Sequence, residues 1–106
     1  MIMAISRTGA HIVAGTDTPN PANLHAELMA YVLAGMTPYE ALRAATVTPA
    51  AALGLDAGSI APGRLADLVV VEGNPLESTA NARRVRWVVA NGRVVSMAEL
   101  LGRGVR

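Results

Sequence analysis

The segment His11–Asp17, His-Ile-Val-Ala-Gly-Thr-Asp, decides how the chain is read. Ile12-Val13-Ala14 is a short apolar run that passes through Gly15 and ends on a single carboxylate, Asp17. Consecutive apolar positions fit a strand covered on both faces, as in parallel sheets. Barrels and open α/β sheets carry their chemistry at the C-terminal ends of such strands. Only ten residues precede the segment, whereas a long helical and then β-rich stretch follows it.

Working downstream, Thr16–Asn23 reads as a loop, with turn signals at Thr18-Pro19 and Asn20-Pro21. The next helix begins either on Asn20 as N-cap, with Pro21 at the first helical position, or on Asn23. Leu24, Leu28, Tyr31 and Val32 recur at helical spacing until Gly35, which predicts a helix over about 24–34. Thr37-Pro38-Tyr39-Glu40 is a capping box, and it predicts a helix over Pro38–Thr46 with a small-residue face of Ala41, Ala44 and Ala45. Thr48-Pro49 repeats the start signal for a short helix ending at Gly54.

After Gly58 the period changes. Ser59-Ile60 is a candidate short strand, Pro62-Gly63 a tight turn, and Asp67–Glu72 a β-branched strand stopped by Gly73-Asn74-Pro75. A helical turn fits Glu77–Arg84. Val85–Val89 reads as a strand with Val85, Trp87 and Val89 on one face, and Asn91-Gly92 as a type I′ turn into Arg93-Val94-Val95. A last helical turn is expected within Met97–Arg106. In isolation this is an α+β order of elements.

The 106 residues suffice for one domain, with roughly 60–68% of the unfolded surface buried, but not for the ~250 residues of a closed (β/α)8 barrel. With 20 Ala and no Phe, the core is expected from Ala, Val, Leu and Ile, with Trp87, Tyr31 and Tyr39 its aromatics. Nine Arg, no Lys and eight acids leave a net charge of +1 and no dense basic stripe, which argues against nucleic-acid binding. Cysteine is absent, which excludes disulfides and thiolate metal sites. The longest uncharged stretch is 12 residues against the ~20 of a membrane span, and Met1–Ile5 lacks the basic n-region and h-region length of a signal peptide, so a soluble cytoplasmic protein is expected.

Asp17 is the sharpest candidate residue. A carboxylate at a strand end can ligate a divalent metal or take a proton from a metal-bound water; it can equally be a turn-forming loop Asp. His25 sits near a helix start facing the same loop, either lining a substrate mouth or exposed on the first turn. His11 and Asp67 read as structural, the latter as a hydrogen-bonding loop residue. No H-x-H, HExxH, Gly-rich phosphate loop or nucleophile elbow occurs.

Gly15-Thr16-Asp17, Leu24-His25-x-Glu27-Leu28, Ala34-Gly35-Met36-Thr37-Pro38-x-Glu40-Ala41-Leu42, Ala44-Ala45-Thr46-x-x-Pro49-Ala50, Gly58-Ser59-Ile60-x-Pro62-Gly63-x-x-Ala66-Asp67, Asn74-Pro75-Leu76 and Asn91-Gly92-x-Val94-Val95 follow one another in order. Together they resemble the C-terminal third of metal-dependent amidohydrolases, of the imidazolonepropionase-related and prolidase-like branch. The resemblance covers about residues 8–96. It implies an α/β chain comprising the last strand and helices of an incomplete TIM barrel (1–57), the C-terminal strands of a small β-sandwich (58–96), and a tail (97–106). It further implies that Asp17 is the metal-site and catalytic residue at the end of the eighth barrel strand. There it binds metal or the attacking water and passes the proton to the leaving amine, with Thr18, Asn20 and His25 lining the substrate mouth. The parent cofactor is a divalent metal, zinc first among candidates.

The family's H-x-H pair, bridging Lys or Glu and later His residues have no counterpart here. One carboxylate does not replace the three protein ligands of a catalytic zinc, so no stable metal is expected on this chain alone. The resemblance thus predicts a fragment or truncated relative of an enzyme that hydrolyses C–N bonds in small amide substrates, inactive by itself. The alternative is a non-catalytic assembly module. The unpaired Ile12–Ala14 strand predicts a homo-oligomer or a complementary chain. An unrelated small α+β binding domain is the third reading.

Overall fold

The structure, a computed structural model, describes Ile12, Ala14, Gly15 and residues 22–104. Three helices come first. α1 spans Ala22–Leu33, turns Leu28 and Tyr31 into the core and leaves Met29 and Leu33 outside. It ends in a Schellman motif: Met36 N–H donates to Tyr31 O and Gly35 N–H to Val32 O, both at 3.0 Å. That closure requires a left-handed residue, and Gly35 has φ 115°.

α2 spans Pro38–Ala45 and starts on the expected capping box. Thr37 Oγ1 accepts the Glu40 N–H at 3.1 Å while Glu40 Oε1 accepts the Thr37 N–H at 3.1 Å, so two otherwise free donors are satisfied. Its small face lets α2 lie close against α1: Ala41 is fully buried and Ala44 nearly so, against Leu28, Tyr31 and Met36. Ile12 and Ala14 pack on this cluster, and Ala14 N–H donates to Ala44 O at 2.8 Å near the C-terminal end of α2. Ile12 and Ala14 carry no strand assignment; the other residues of the expected His11–Ala14 strand lie outside the described ones.

α3 spans Val47–Ala52, two residues earlier than the Thr48-Pro49 signal predicts. The Thr46 hydroxyl donates back to Leu42 O at 2.8 Å and does not cap the helix. Pro49 sits in the first turn, where backbone N–H groups have no helical partner, so its missing donor costs nothing. Residues 53–67 then form no helix or strand, and the expected Ser59-Ile60 strand is absent; Ile60 stands 88% exposed. Gly58 anchors this stretch to the helices, because an added Cβ would lie 2.5 Å from Thr46 O and 3.0 Å from Ala50 Cβ.

The sheet has three antiparallel strands in the order β1 (Leu68–Val71), β2 (Val85–Ala90), β3 (Arg93–Ser96). Asn91 (φ 53°) and Gly92 (φ 78°) both take the left-handed conformation that a type I′ turn between β2 and β3 requires. Strand alternation places Leu68, Val70, Trp87, Val89 and Val94 on one face and Val69, Val88 and Val95 on the other. Both faces are thus apolar. A bulge lies between Val70 and Val71. At one end of β1, Asp67 Oδ1 accepts the Asn91 N–H at 2.7 Å and Ala66 O the Gly92 N–H at 3.1 Å; at the other, Glu72 N–H donates to Arg84 O at 2.8 Å.

Between β1 and β2 runs a 3-10 helix, Thr79–Arg83, capped by Ser78 Oγ, which accepts the Ala80 N–H. Thr79 is buried where this turn packs on α1 and α2. The chain closes with α4, Met97–Gly104, whose first turn is capped by Ser96 Oγ on the Glu99 N–H and which packs on β2 and β3. The composition-based expectation of an aromatic core holds only for Tyr31. Tyr39 is 57% and Trp87 44% exposed, because the core cluster lies between α1 and α2 and Trp87 lies on an open sheet face.

Candidate functional site

Of the site residues expected from sequence, Asp17, Thr18 and Asn20 lie outside the described residues, and His25 lies within them. His25 stands on the first turn of α1. The 3-10 helix lies along α1. Its start (Ser78, Thr79) shares a small groove with Val32, Leu33 and Pro38, while Arg83 at its end acts on His25.

The His25 ring is not the exposed first-turn ring that its position alone suggests. It is half-buried, and Nδ1 is shut from solvent with no hydrogen-bond partner. Burial pushes its pKa below 6.5, and the nearby Arg83 guanidinium pushes it the same way. Two turns along the same helix, Tyr31 is held protonated well into alkaline solution. Burial is the larger cause, and a hydrogen bond with Glu27, together with that carboxylate's charge, adds to it.

The arginine cluster divides. Arg84 and Arg86 both pair with Glu72, and these guanidiniums, Arg86 first, hold the Glu72 carboxyl below its ordinary range. Arg83 has no acid partner among the described residues. Sequence reasoning missed its role, since nothing local distinguishes it from its neighbours; only the packing of the 3-10 helix on α1 does.

A groove of about 540 Å³ lies between residues 58–60, Thr46 and the β1–β2 ladder. Ile60, Leu68, Val69, Val88 and Val89 line it, and its one titratable group, Asp67, already accepts the Asn91 N–H. Its chemistry is that of a packing surface. Among the described residues no three His, Asp or Glu side chains come together as a metal-binding set. The described residues therefore do not fit a metal centre. Nor is any helix among them long and apolar enough to cross a membrane.

Comparison with known proteins gives one family. Residues 1–95 match the model of the amidohydrolase family. The chain is 40% identical over 95 residues to an adenine deaminase of Methylobacterium nodulans, covering 83% of this chain and 16% of the relative. It is 40% identical over 89 residues to an imidazolonepropionase of Deinococcus deserti, covering 76% of this chain and 22% of the relative. In three dimensions it superposes on a Xaa-Pro dipeptidase with TM-score 0.80 at 31% identity, covering 88% of this chain and 24% of that one. The chain thus spans about a fifth of the length of the curated relatives it matches.

Proposed function

The chain belongs to the amidohydrolase family, and from that premise we propose that it is one part of a C–N hydrolase, the part that bears a single carboxylate of the active site. In this reading residues 1–57 are the last strand and helices of a TIM barrel, and residues 58–96 complete a small sandwich. The observation that carries it is the family match over residues 1–95 together with coverage of only 16%, 22% and 24% of the three proteins compared above.

Asp17 is the residue that takes the proton from the attacking water and hands it to the leaving amine. Thr18, Asn20 and His25 line the mouth through which a small amide enters. The family is generally metal-dependent, and a divalent metal, zinc first, supplies the electrophile when bound. In this reading the remaining metal ligands belong to the other strands of the barrel.

The test is hydrolysis of a panel of cyclic and linear amides by the 106-residue chain with added zinc. No turnover is expected from the chain alone. Robust turnover abolished by Asp17→Asn would overturn the reading of an incomplete site. Activity that appears only on adding the preceding barrel segment of a relative, and is lost with Asp17→Asn, would establish it. An assembly module without catalysis is the second reading, and the half-exposed apolar residues of the sheet, Val69, Val70, Trp87 and Val94, favour it.

A further inference from the structure

The turn between β2 and β3 holds the one Asn-Gly pair of the sequence, Asn91-Gly92. Asn20 and Asn74 precede proline, Asn23 precedes leucine and Asn81 alanine. An asparagine carboxamide is open to attack by the backbone nitrogen of the residue that follows it. Proline has no N–H to give up, and any side chain crowds the approach, so Asn91 alone has an unhindered neighbour. A Cβ added at Gly92 would meet nothing within 4 Å, and both turn residues are exposed, so water and base reach this peptide. The Asn91 carboxamide has no hydrogen-bond partner among the described residues.

The contacts at the end of β1 restrain this pair. Gly92 N–H, the attacking group, donates to Ala66 O at 3.1 Å, and Asn91 N–H donates to Asp67 Oδ1 at 2.7 Å. The first bond keeps the proton on the Gly92 nitrogen. Both hold the left-handed conformations of Asn91 (φ 53°) and Gly92 (φ 78°) that close the hairpin. Local opening of this end of the sheet releases the two N–H groups together.

We propose that Asn91 is a site of spontaneous deamidation whose rate is set by the opening of the Asp67–Asn91 and Ala66–Gly92 contacts. On opening, the Gly92 nitrogen gives its proton to solvent base and bonds to Asn91 Cγ. The Cγ–Nδ2 bond breaks, ammonia leaves and a succinimide closes. Water then adds to one ring carbonyl and leaves aspartate or isoaspartate at position 91, with no oxidant or reductant. Either product brings a second carboxylate to the turn that the Asp67 carboxylate holds, and like charges there oppose reclosure. Isoaspartate also lengthens the backbone of a two-residue loop whose length sets the strand register. The new charge stands at the end of the apolar groove that Asp67 and Ala90 line. The change is one-way, so the turn accumulates a record of its openings.

The test holds the intact chain in mildly alkaline buffer, folded and in urea, beside folded Asp67→Ala. Peptide mapping with electron-transfer fragmentation follows each asparagine and separates isoaspartate from aspartate. Modification is expected at Asn91 ahead of Asn23 and Asn81, and more slowly in the folded chain than in urea. A hydrogen bond to a charged group favours the closed turn by about tenfold or more, so Asp67→Ala should modify Asn91 about tenfold faster than the parent. Equal rates in the folded chain and in urea, or no acceleration in an Asp67→Ala chain that is folded by circular dichroism, overturns the proposal. Should Asp67→Ala fail to fold, hydrogen exchange of the parent decides. Protection of the Gly92 amide from exchange should match the protection of Asn91 from deamidation, and deamidation outrunning that opening overturns the proposal.

Discussion

Replacing Gly58 with alanine tests how residues 53–67 are held to the helices. Two costs are expected at this position. Gly58 has φ +86°, a left-handed conformation that costs an L-residue about 1–2 kcal/mol. The new methyl would also stand 2.5 Å from Thr46 O and 2.8 Å from Thr46 C, atoms of a helix junction that cannot rotate aside, and 3.0 Å from Ala50 Cβ. Relieving such a clash costs about 1–3 kcal/mol. Gly63 separates the two terms, because it has nearly the same φ, +84°, and nothing within 4 Å of its Cβ position. Gly63→Ala should therefore lose about 1–2 kcal/mol and Gly58→Ala about 2–5 kcal/mol. Against a typical total of about 5–15 kcal/mol the second is a large fraction, equivalent to about 8 °C or more in Tm for a domain of this size. Urea unfolding followed by circular dichroism and by the emission of Trp87 measures both. Equal losses in the two variants would refute the close approach of residue 58 to Thr46.

Four further outcomes are expected. Thr37→Ala removes the acceptor for the Glu40 N–H and should destabilise the chain by about 1 kcal/mol in thermal melts, with Thr37→Ser restoring most of it. Ala41→Leu forces a larger side chain into a fully buried site between α1 and α2 and should cost about 1–3 kcal/mol in urea unfolding. Asp67→Ala frees the Asn91 N–H and should raise amide exchange at Asn91 and Gly92 more than in α1. Because the folded-state pKa of His25 lies below its unfolded value, the unfolded chain takes up the proton first on acidification. Its contribution is complete above pH 6.5 and is lost as the pH falls from there through the folded-state pKa. Urea midpoints between pH 8 and 5 should show this fall, and His25→Gln should flatten it.

What the sequence disclosed follows the range of the interactions involved. Thr37-Pro38-x-Glu40 is a self-contained device whose partners lie three residues apart, and Asn91-Gly92 needs only its own backbone freedom; both were legible. Thr48-Pro49 looked equally local, yet the helix starts at Val47, since a proline anywhere in the first turn is tolerated. Composition assigns Trp87 to the core as one of three aromatics, but neither composition nor strand alternation reveals whether anything covers its face. The half-burial of His25 comes from tertiary packing, and the arginine whose charge bears on it lies more than fifty residues away, so no local pattern announces either. Asp17 drew its meaning from the ordered framework around it, which the family match over residues 1–95 supports.

The run Leu68-Val69-Val70-Val71 has a consequence for how the sheet finds its alignment. A strand that is apolar on one face alone is punished for slipping by one residue, because its polar side chains would turn inward. Here a slip exchanges one valine for another on both faces, and side-chain burial scarcely distinguishes the shifted pairings. Alignment must be set at the ends of the strand. The Asp67–Asn91 and Ala66–Gly92 contacts act as one clasp, Glu72 with Arg84 as the other, and the bulge at Val70/Val71 absorbs the mismatch between them. Loosening one clasp should produce a sheet that remains β-structured but populates more than one pairing, visible as doubled resonances for Val69 and Val88 and not as loss of ellipticity.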